Sequence, residues 1–64
     1  MNYVILTKDL GRPMYFMYHP YQHGFSISTN PERAFVIHGK KEALIACDAF
    51  AKASGLTTEL LKIN

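Results

Sequence analysis

The chain has 64 residues, 48% of them apolar and 19% charged, with a net charge of +2 and a single cysteine. That length allows one domain, which buries only about 60% of the surface its unfolded form exposes, and the composition excludes a disordered tail. No apolar run is longer than Met14 to Tyr18, far short of the roughly 18 residues that span a bilayer, and the cations are scattered rather than gathered into a basic block.

The N-terminus leads directly into Tyr3-Val4-Ile5-Leu6, with no basic and apolar leader ahead of it, and Cys47 has no second cysteine with which to form an internal disulfide. Together these predict a cytoplasmic protein whose core holds the fold without a covalent staple. A self-association surface would add to its thin margin of stability.

Tyr3 to Thr7 is β-branched and aromatic, Lys8 to Pro13 carries turn residues, and Met14 to His19 is apolar and aromatic again, which predicts a β-hairpin. Pro13 suits the loop or the first residue of the second strand, because proline cannot donate to an interior ladder. Residues 20–24 break the chain, and Phe25-Ser26-Ile27-Ser28-Thr29 alternates apolar with polar, the pattern of a strand with one wet face. Thr29-Asn30-Pro31-Glu32 has the capping residue and first-turn proline of a helix start, but the residues after Glu32 allow only a short turn. Ala34 to Ile37 reads as a brief extended segment entering the core.

Residues 40–54 are the clearest element. Ala43, Cys47, Phe50 and Ser54, flanked by Ala46 and Ala51, recur at helical spacing, while Lys41, Asp48 and Lys52 share the opposite face. Gly55 stands where a left-handed residue would end the helix, and Leu56 is placed for the apolar contact that accompanies such caps. Residues 58–63 predict a last strand with Glu59, Leu61 and Ile63 on one side and Thr58, Leu60 and Lys62 on the other. A helical alternative for 57–62 stays open, since Glu, Leu and Lys all favour helix. The expected fold is α+β, in the order β-β-β-α-β: an antiparallel sheet of three to four strands with one amphipathic helix on one face, forming a single domain over residues 1–64.

This arrangement, with Ala34-Phe35-Val36-Ile37 succeeded closely by Lys41-Glu42-Ala43 opening a helix, then a glycine and a closing apolar strand, is similar to small phage- or prophage-encoded β-β-β-α-β proteins. The likeness covers about residues 31 to 63. It implies a protein that binds a host macromolecule, such as a polymerase, nuclease or defence complex, and inhibits or redirects it. No functional residue carries over, because the shared positions are structural, and Lys40 and Lys41 depart from the acidic residues that more often open such a helix.

The densest cluster of chemistry-bearing side chains runs from Met14 to Phe25. In a strand, Met14, Phe16 and Tyr18 face one way and Tyr15, Met17 and His19 the other, so both faces are apolar or aromatic. One helix covers only one of them. Tyr15, Met17, Tyr21 and Phe25 are therefore the candidate partner-binding residues, since Tyr and Met are enriched at interface cores. The competing reading is a central strand whose outer residues are covered by loop 20–24.

His19 and His23 have a spacing that on a helix would pair two imidazoles for zinc, but Pro20 and Gly24 oppose a helix there, and no metal site is expected. Cys47 falls on the apolar helix face, where a thiol packs as a small hydrophobe. Ser26, Ser28 and Thr29 lack a nucleophile elbow or an oxyanion-hole glycine run, so no catalytic set and no cofactor are expected. Gly39, Lys40 and Lys41 form a possible anion site, because cations at a helix N-terminus oppose the macrodipole and free N–H groups there attract anions. The competing reading is two solvated lysines.

The expected function is a small non-enzymatic protein-binding module, with a second copy of the chain as the other occupant of the same surface. A nucleic-acid-binding module using Arg12, Arg33, Lys40 and Lys41 on phosphate, with tyrosines to stack on bases, is the alternative.

Overall fold

The computed structural model describes residues 1–17 and 25–63. Strands β1 (Asn2–Thr7), β2 (Met14–Met17) and β3 (Ser26–Ser28) are followed by a single 3₁₀ turn (Pro31–Arg33), strand β4 (Ile37–His38), helix α1 (Lys40–Ser54) and strand β5 (Glu59–Lys62). All the pairings are antiparallel. The architecture is α+β in the expected order, with one addition. Only Ile37 and His38 of the segment after the 3₁₀ turn form ladder bonds, which makes a fifth, two-residue strand.

β1 is the centre of the sheet. Tyr3 is opposite both Lys62 and Ile37, and Leu6 is opposite both Glu59 and Tyr15. A residue has one neighbour on each side, so β5 occupies one edge of β1, while β4 and β2 lie end to end along the other. The main-chain bond from Phe35 N–H to the Phe16 carbonyl, 3.1 Å, ties the segment leading into β4 to β2. β3 then extends the sheet beyond β2.

Local chemistry sets the breaks between elements. The Asn30 side chain accepts the Glu32 N–H at 3.0 Å and Pro31 opens the 3₁₀ turn, so the capping signal is real but serves one turn only. α1 ends as its sequence demands: Gly55 has φ 72° and donates its N–H to the Ala51 carbonyl, and Leu56 packs on the core behind it. Ser54 Oγ donates to the Phe50 carbonyl at 2.7 Å and accepts the Leu56 N–H, closing the last turn.

The core lies between α1 and one face of the sheet. Tyr3, Ile5, Phe16, Ile37 and Ala43 are buried together, with Ala46, Cys47, Phe50, Leu56 and Leu60 packed around them. The Phe16 ring is stacked on Phe50 at 4.8 Å between centroids and meets Phe25 at 5.9 Å. Burying a side chain of this size stabilises by roughly 1.5–3 kcal/mol.

The residues expected to form the last strand do so at 59–62, with Leu60 opposite Ile5 on the core face and Leu61 opposite Val4 on the other. Cross-strand packing against β1 overrides the helix propensity of this segment. Phe25 and Thr29 fall outside β3, and β2 is described as far as Met17; the sequence expectation for residues 18–24 lies outside the described residues. Among the described residues no helix is long and apolar enough to cross a membrane.

Candidate docking surface

Side chains alternate across a strand, and directly opposed residues share a face. The registers therefore place Val4, Leu6, Tyr15, Met17, Leu61 and Glu59 on the sheet face away from α1, beside Ser26 and Ser28. Val4 and Leu6 are nearly inaccessible, at 4% and 6% exposure, whereas Leu61 is 43% exposed. Tyr15 and Met17 are half-buried. This face thus has an apolar floor on the central strand with accessible apolar residues to either side.

A groove of about 200 Å³ runs across it, lined by Leu6, Pro13, Tyr15, Leu60 and Leu61, with Lys8 and Glu59 at its rim. Small-molecule sites commonly occupy about 300–1,000 Å³; the groove is smaller and has the size for one inserted side chain. Lys8 Nζ stands 3.5 Å from Glu59 Oε1, both side chains well exposed, a pair that contributes little to stability but puts one charge of each sign beside the apolar floor.

The structure brings together only part of the set expected from the sequence. Tyr15 and Met17 share the outer face. Phe25 does not join them: its ring rests against Phe16, which points to the helix, so Phe25 belongs to the core side although 39% of it stays exposed. The register accounts for this: Phe25 has the parity of Ile27, which is paired with Phe16. Tyr21 lies outside the described residues. Leu61 and Pro13 were not among the expected partner-binding residues. The alternation of β5 already separated Leu61 from Leu60, but its nearness to Tyr15 depends on both strands flanking β1.

Arg33 ends the 3₁₀ turn, and Arg12 stands at the other end of β1 from Lys40 and Lys41. Arg12 lies in the loop beyond Thr7, whereas Lys40 and Lys41 come after His38, which is opposite Asn2 at the other end of β1. Five residues of strand separate those ends by about 17 Å. Gly39, with φ 92°, offers no side-chain cap to α1, and Lys40 and Lys41 are exposed at its start.

Cys47, His38 and Ser28 each have a hydrogen-bond partner within the fold. Cys47 Sγ donates to Thr58 Oγ1 at 3.0 Å, and Thr58 Oγ1 donates to the Cys47 carbonyl at 3.1 Å. His38 Nδ1 is hydrogen-bonded to Asn2 Oδ1, and Ser28 Oγ accepts the Asn30 N–H. Among the described residues no three His, Cys, Asp or Glu side chains converge as metal ligands.

The fold and this surface define a small α+β domain with one sheet face covered by its helix and an apolar groove on the other. No family model, curated protein or solved structure matches the chain.

Proposed function

We propose that this chain is a non-enzymatic protein-binding module that docks through the sheet face opposite α1, taking one apolar side chain of its partner into the groove between Tyr15 and Leu61. The observation that carries this reading is the groove itself: an apolar floor at Leu6, accessible apolar walls, a volume suited to a side-chain anchor and a charged rim. Interface hot spots are commonly anchors of this kind, seated in a pocket and surrounded by residues that exclude water. The likeness to small phage-encoded proteins supports a host macromolecular complex as the partner, inhibited or modulated when its surface is occupied.

The test is a heteronuclear NMR titration of the labelled protein with purified candidate partners, accompanied by sedimentation of the protein alone. Amide shifts centred on residues 6, 15, 17 and 61, abolished by Leu61→Lys, support the proposal. Shifts confined to the exposed face of α1 reject the surface. Concentration-dependent dimerisation lost in the same variant identifies a second copy as the occupant. Oligonucleotide binding that falls steeply with salt, as phosphate contacts require, would replace the proposal with the nucleic-acid alternative.

A further inference from the structure

No further inference is drawn: the strongest candidate, the outer edge of β5 beside the groove at Leu61, belongs to the surface already described, and nothing in the structure shows what covers it.

Discussion

Asp9 Oδ2 accepts the backbone N–H of Thr57 at 2.7 Å, joining the loop between β1 and β2 to the connection between α1 and β5 across 48 residues of sequence. The bond ties the approach to β5 to the loop that follows β1, beside the β1–β5 ladder. Because it is exposed, its contribution falls below the range usual for a hydrogen bond to a charged acceptor and is close to that of a neutral one. Asp9→Ala is expected to lower stability by about 1 kcal/mol, with Asp9→Asn retaining part of it. Urea unfolding midpoints check this, and a midpoint unchanged in Asp9→Ala would show that the bond does not persist in solution.

Phe16 is 1% exposed and bridges β2 to α1 through its stack on Phe50. Truncating a core aromatic costs about 3–5 kcal/mol, and a domain this small rarely has more than about that to lose. Phe16→Ala is expected to be largely unfolded at 25 °C, read as loss of near-ultraviolet dichroism and amide dispersion. A cooperative transition close to that of the parent would contradict the core assignment.

Thr58 holds α1 to the start of β5 through its two bonds with Cys47. Thr58→Val keeps the shape and removes both, at a cost of about 1 kcal/mol, while Thr58→Ser retains the hydroxyl and loses less. A double-mutant cycle with Cys47→Ala measures the coupling; additivity of the two changes would mean that the thiol takes no part.

Gly55 has φ 72° with open space where a Cβ would stand, so a side chain there meets backbone strain and not a clash. Gly55→Ala is expected to lose about 1 kcal/mol, and Gly55→Asn to lose less, since asparagine tolerates the left-handed region. Thermal unfolding of the three proteins gives the order directly.

Leu61 and Ile45 are both accessible, at 43% and 58% exposure, but Leu61 borders the groove and Ile45 lies on the polar side of α1. Charged replacements at exposed positions away from special features usually change stability by about 0.5 kcal/mol or less. Ile45→Lys should therefore leave both folding and partner binding unchanged. Leu61→Lys should remove binding with only a modest loss of stability. Equal effects of the two on binding would separate it from the groove.

Much of the architecture was legible in the chain. The helix at 40–54 was readable to its ends, because its period, its glycine stop and the contact of Leu56 are all local. The hairpin from β1 to β2 and the short turn expected after Thr29-Asn30-Pro31-Glu32 rest likewise on turn chemistry within a few residues. The candidate surface was legible only in part. Tyr15 and Met17 are placed by strand alternation, but Phe25 joins the core side through the pairing of β3 with β2. Leu44 is 52% exposed, which composition does not state.

By itself, then, the sequence determined the periodic elements, their punctuation and the alternation of side chains, since each depends on neighbours close along the chain. Tertiary structure decided that β1 is central, with Tyr3 through Thr7 buried on both faces, and that β5 and β2 flank it so that Leu61 and Tyr15 line one groove. The physical reason is that strand order is set by cooperative burial between segments far apart in sequence. Several orders satisfy the same local pattern, and the one adopted is the one whose packed faces exclude water together.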